Sequence, residues 1–64
     1  MRFGDKLKFA RECLACTQEE LADICGLTGS AISHFETGRR DPSLKNIIKI
    51  CKGLNCKPND LIEF

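Results

Sequence analysis

The sequence predicts an all-α protein, and three observations carry that prediction. Apolar residues recur at spacings of three and four, short polar residues stand where those runs begin, and glycines stand where they stop. Nothing alternates long enough to make a strand of more than a few residues. The expected architecture is a compact bundle of five short helices in a single domain, residues 1–64.

The first helix is predicted from Phe3, Leu7, Ala10 and Leu14, which share one face, while Lys6, Lys8 and Glu12 fall on the other. The second opens with "TQEEL". Thr17 and Glu20 form a capping box, in which hydroxyl and carboxylate each satisfy a backbone N–H at the helix start, and Cys16 and Leu21 can staple across it. Leu21, Ala22, Ile24 and Cys25 continue the helix, and Gly26 suits a left-handed stop. Thr28 caps a third helix almost at once, with Leu27 and Ile32 as its staple, Ile32 and Phe35 inward and Gly38 as its stop. A connection of only about two residues forces helices two and three to cross at a large angle.

Two starts are open for the fourth helix. Either Asp41 caps it with Pro42 at the first helical position, or Ser43 caps it with Pro42 just outside. Its inner face is read as Leu44, Ile47, Ile48, Cys51 and Leu54. A last short helix is expected from Pro58, with Leu61 and Ile62 closing the core.

A chain of 64 residues is near the lower size limit for a self-sufficient domain. Its core supplies no more than about 3 to 5 kcal/mol, so good caps matter. The apolar fraction of 42% and charged fraction of 30% are those of a globular protein rather than a disordered tail. Lysines break the apolar stretch around Ile47, Ile48, Ile50 and Cys51, far short of the roughly 18 residues a membrane span needs. The N-terminus has no apolar export region, so a cytoplasmic location is expected.

The 5 cysteines are an odd number for a disulfide framework, and reduced thiols are the better reading. Cys13 and Cys16 form a C-x-x-C that Cys51 and Cys56 could complete as a zinc site. The second pair, however, spans a glycine-containing turn, and Cys25 and Cys56 sit where a small hydrophobe fits. No metal and no cofactor is expected. His34 is the single histidine, and the acidic residues form no recognisable catalytic set, so no enzyme is expected either.

A net charge of +1 decides nothing by itself; placement does. Helices two and three, with the inward Ile32 and Phe35, make a helix-turn-helix. Its outward face then carries Gly29, Ser30, Ser33 and His34, extended by Thr37. These small hydrogen-bonding groups suit close approach to base edges in a major groove, and taken alone they fit a solvated face equally well. Gln18 adds an amide donor beside free backbone N–H groups at a positive dipole end, a natural phosphate site. Arg39, Arg40 and Lys45 place cations on the same side, with Glu19, Glu20 and Asp23 read as lying mostly on other faces of helix two.

The run "TQEELADICGLTGSAISHFETGRRDPSLKNIIKICKGLNCKPNDLI" resembles the Cro and phage-repressor (XRE-type) helix-turn-helix family. Its carriers are T-Q-x-x-L-A before the turn glycine, I-S-x-F-E-x-G after it, then P-S-L and N-D-L-I; with helix one the likeness covers essentially the whole chain. The resemblance implies a five-helix regulator of transcription, a repressor or Cro-like protein, that binds double-stranded operator DNA with helix three in the major groove. It implies base contacts by Gly29, Ser30, Ser33 and His34, and phosphate contacts by Gln18, Thr28, Thr37, Arg39, Arg40 and Lys45. It also implies a structural ion pair between Arg11 and Glu36, and a weak homodimer that DNA strengthens. The same fold serves some relatives as a protein-binding module, an antitoxin or accessory regulator, for which Leu61, Ile62 and Phe64 offer apolar surface.

Three departures stand out. Ala15 replaces the family's glycine between helices one and two, which predicts a strained left-handed alanine or a different turn. Lys57 replaces the usual cap before Pro58. Gly29 stands where many relatives carry a longer polar side chain, which shifts specificity toward DNA shape or toward the arginines.

Overall fold

Among the described residues every helix but the first starts on a hydroxyl side chain, and this places the elements along the chain. The computed structural model describes residues 2–55, in which four helices follow one another: α1 (Phe3–Cys13), α2 (Gln18–Cys25), α3 (Gly29–Thr37) and α4 (Leu44–Leu54). The expected fifth helix at Pro58, with Cys56, Lys57, Leu61, Ile62 and Phe64, lies outside the described residues. The described residues are all-α.

Thr17 caps α2 with both halves of the capping box in place. Its hydroxyl accepts from Glu20 N at 3.1 Å, and its own N–H donates to Glu20 Oε1 at 2.9 Å. The Thr17 N–H bonded to the ionised carboxylate is the main cause that holds Glu20 below the usual glutamate range. Thr28 caps α3, accepting from Ala31 N at 3.1 Å. For α4 the choice falls on Ser43, whose hydroxyl accepts from Asn46 N at 3.2 Å.

The helix ends are equally local in origin. Gly26 (φ 72°) and Gly38 (φ 78°) terminate α2 and α3 in the left-handed region that glycine enters without penalty. At the end of α1 the same turn is made without glycine: Ala15 sits at φ 56°. Cys16 N reaches back to Arg11 O at 3.2 Å and Ala15 N to Glu12 O at 3.0 Å, the paired bonds of a Schellman stop. The strained left-handed alanine is therefore the outcome, and the turn keeps its shape.

The core gathers Leu7, Leu21, Ala22, Cys25, Ile32, Phe35, Ile50 and Cys51, flanked by half-buried Phe3, Leu27, Ala31, Ile47 and Leu54. Leu7, Leu21, Ile32 and Ile50 are completely enclosed, each worth about 1.5 to 3 kcal/mol in surface removed from water. Cys25 and Cys51 act as small hydrophobes within it, whereas Cys13 is exposed and Cys16 half-buried.

Two inward faces differ from the sequence reading. Leu44 (70% exposed) and Ile48 (43%) stand outside the core, and Ile50, which the reading left out, is fully buried. Helix α4 packs against α2 through residues 47, 50, 51 and 54, a stripe rotated from the expected one. On α1 the stripe also stops short, with Leu14 half exposed at 52%. Ile24 of α2 is likewise exposed at 55%.

Helix α1 lies directly on the end of α3. A side-chain carbon at Gly4 would stand 2.5 Å from Phe35 O and 2.6 Å from Glu36 O, so only glycine permits this approach. The contact fixes α3 from behind and leaves its other side open.

Candidate nucleic-acid interface

The open side of α3 is built by the anchoring of its inner side. With Ile32 and Phe35 buried, the helical period turns Gly29, Ser30, Ser33, His34 and Thr37 away from the core. Two shallow concavities meet along this strip. One, between α2 and α3, is lined by Gln18, Glu19, Asp23, Leu27, Thr28, Gly29, Ser30 and Ser33. The other is lined by Ser33, His34, Thr37, Gly38 and Arg39. Gly29, Ser30, Ser33 and His34 thus lie on one continuous surface, with Ser33 shared between its halves.

The charge on that surface is less cleanly divided than the sequence suggested. Glu19 and Asp23 line the first groove beside Gly29 and Ser30 rather than facing elsewhere on α2. Glu19 Cγ sits where it would be 3.1 Å from a side-chain carbon at residue 29, so the glutamate stem covers the bare glycine. Helix periodicity locates a residue on its own helix; it does not tell which neighbouring helix shares its groove.

Hydrogen bonding decides what each polar group has left to offer. Thr28 spends a lone pair on Ala31 N, so its hydroxyl proton is free for an acceptor such as phosphate. Gln18 Nε2 donates one proton to Glu36 Oε1 at 3.1 Å and keeps a second. Thr37 is placed differently: its hydroxyl donates to Ser33 O at 3.0 Å, so it presents lone pairs outward. The N–H groups of Gly38, Arg39 and Arg40 all turn back onto α3, to Phe35 O (3.4 Å) and His34 O (2.9 and 3.2 Å). In this segment only the side chains reach outward. Arg39, Arg40 and Lys45 are exposed; Arg39 borders the second groove, while Arg40 and Lys45 line neither.

Arg11 and Glu36 hold the surface from beneath. The guanidinium donates from Nε to Oε2 at 2.6 Å and from Nη2 to Oε1 at 3.1 Å, and its Nη1 donates to Cys16 O at 2.8 Å. This contact with Glu36 raises Arg11 further above its already high range. Both groups are occupied within the fold. A residue that sequence reasoning missed is Arg2, whose guanidinium packs on Gly38 at the end of α3. A separation of 36 positions leaves no local signal of that neighbourhood.

Two short capped helices, a glycine turn between them, and a polar outward face on the second define a helix-turn-helix domain. The chain belongs to the helix-turn-helix family of the phage-repressor (XRE) type, whose profile matches residues 7–61. That family is one of transcription regulators rather than enzymes.

The chain is 43% identical over 63 residues to control protein C.BamHI of Bacillus amyloliquefaciens, a match covering 97% of this chain and 78% of that protein. It superposes on the restriction-modification controller protein C.AhdI of Aeromonas hydrophila with a TM-score of 0.91 at 37% identity, covering 94% and 91% of the two chains. It superposes equally well, TM-score 0.91 at 27% identity over 98% and 96% of the two chains, on the P22 c2 repressor solved in complex with a synthetic operator. No helix among the described residues is long and apolar enough to cross a membrane.

Proposed function

We propose that this protein is a sequence-specific regulator of transcription that binds double-stranded operator DNA with α3 in the major groove, as a repressor or Cro-like control protein. The observation that carries this reading is the strip of small hydrogen-bonding groups on α3, set between free donors at the start of α2 and α3 and arginines after Gly38. The relatives support it: two are control proteins and one is a repressor solved on an operator. Residues 1–64 act as one DNA-binding domain, working in the cytoplasm.

Within that reading, Ser30, Ser33 and His34 meet base edges, and Gly29, beside the Glu19 stem, begins the same base-facing strip at the start of α3. Gln18 and Thr28 donate their remaining protons to backbone phosphates at one end. Arg39 and Arg40 bring charge to phosphates at the other, with Lys45 beyond them. Thr37 borders the phosphate segment and serves it only if its hydroxyl leaves the Ser33 carbonyl. A homodimer, weak in free solution and strengthened on DNA, places two copies of α3 on the two halves of a palindrome.

Selection from a random duplex library, followed by footprinting, tests the proposal. The expected result is an enriched palindrome whose half-sites lie about 34 to 36 Å apart. Enrichment of no sequence would overturn it in favour of a protein-binding role for the same fold.

A further inference from the structure

We infer that Arg2 is a further cation of the DNA-backbone contact, joining Arg39 and Arg40 at the C-terminal end of α3. The inference rests on the DNA-binding reading above and adds a residue that lies outside the helix-turn-helix itself.

The geometry is specific. A side-chain carbon built on Gly38 would stand 2.6 Å from Arg2 Nη2, 3.3 Å from Cζ and 3.8 Å from Nη1, so the Nη2 corner of the guanidinium fills the space a side chain at that glycine would need. Gly38 is thereby required twice: once for its left-handed backbone at φ 78°, and once for the room its missing side chain leaves. Arg2, Gly4, Asp5, Glu36, Thr37 and Gly38 line one small concavity, and Thr37 and Gly38 also line the groove that holds Ser33, His34 and Arg39. The base-facing strip therefore continues past the helix end to Arg2.

Chemistry favours a cation at this place. The last carbonyls of α3 carry the negative end of its dipole, which draws a guanidinium toward them. Asp5 accepts the backbone N–H of Arg2 at 3.3 Å, which fixes the start of α1 and thus the point from which the side chain reaches across. Arg2 remains exposed, and its flat fork of donors matches a phosphodiester. Since the backbone N–H groups of residues 38–40 are turned inward, phosphate binding here depends on guanidinium groups, and Arg2 brings one from the residue that precedes α1.

The test is a salt titration of the full chain on its selected duplex and on an unrelated duplex, for wild type, Arg2→Ala and Arg2→Lys. Each neutralised phosphate contributes about −0.9 to the slope of log affinity against log salt. Arg2→Ala is expected to flatten the slope by about that amount and to weaken both duplexes by a similar factor, roughly three- to tenfold. Arg2→Lys keeps the charge and is expected to keep the slope while losing the guanidinium contact with Gly38. If Arg2→Ala lowers the melting temperature but leaves slope and affinity unchanged, Arg2 only closes the end of α3 and the inference falls. If wild type itself shows no salt-dependent duplex binding, the DNA-binding reading falls first.

Discussion

Glu36 on α3 takes the Arg11 guanidinium of α1 in a forked contact, at 2.6 and 3.1 Å, with side chains only 3% and 13% exposed. Gln18 of α2 donates to the same carboxylate at 3.1 Å, so one acidic group ties three helices together behind the outward face of α3. Removing the carboxylate leaves a largely enclosed guanidinium with one remaining neutral partner. Glu36→Ala is therefore expected to cost about 3 kcal/mol, in keeping with other broken buried pairs. The double variant Arg11→Met with Glu36→Leu should recover part of that loss, because neither charge is then stranded. Urea denaturation of both variants measures this; a Glu36→Ala change below about 0.5 kcal/mol, the range of a plain surface substitution, would show the pair to be incidental.

Ala15 holds a left-handed conformation that costs an L-residue roughly 1 kcal/mol or more, and its two backbone bonds keep it there. Ala15→Gly is expected to relieve that strain while adding some freedom to the unfolded chain. The net gain should be about 0.5 to 1 kcal/mol, an increase of roughly 4 °C in melting temperature for a domain of this size. A thermal melt showing no change or a decrease would mean that the turn has found another way to absorb the alanine.

The parts of the fold that were legible in the sequence are those decided within a few residues. Thr17 with Glu20, Thr28, Gly26 and Gly38 announce starts and stops because caps and left-handed turns are local chemistry. The inner face of α4 was not legible in the same way. Residues 44, 47, 48, 51 and 54 and residues 47, 50, 51 and 54 are both apolar stripes at helical spacing, and only the position of α2 selects the second. The outward face of α3 could be drawn from Ile32 and Phe35 alone. Its neighbours could not: Glu19 and Asp23 enter the groove, and Arg2 arrives at Gly38, through packing between helices.

Glu20 gives the stability a signature in pH. Its folded-state pKa lies below the usual value because Thr17 hydrogen-bonds to the ionised form. A depressed carboxylate contributes stability above its unfolded value, about 4.3, and the contribution is lost as pH falls from there through the lower folded value. The melting-temperature advantage of wild type over Glu20→Gln should therefore be present near neutrality and shrink in acid below about pH 4. An advantage that stays constant across that range would assign it to shape or side-chain entropy rather than to the charged cap.

In the proposed complex, His34 and Arg40 separate readout from affinity. His34 lies half-buried in the groove with Ser33, Thr37 and Arg39, on the part of α3 that meets base edges in the proposed complex. Arg40 is exposed, and its backbone N–H is already bonded to His34 O at 3.2 Å, which leaves only its guanidinium for a phosphate. His34→Ala should cost about 1 to 3 kcal/mol on the selected duplex and relax the preference at one base pair. Arg40→Ala should weaken specific and unrelated duplexes alike and reduce the salt slope by about 1. Fluorescence anisotropy on a panel of single-base variants at several salt concentrations distinguishes the two. If His34→Ala instead weakened every sequence equally with an unchanged base preference, the histidine would belong with the backbone contacts, and direct readout would fall to Ser30 and Ser33 alone.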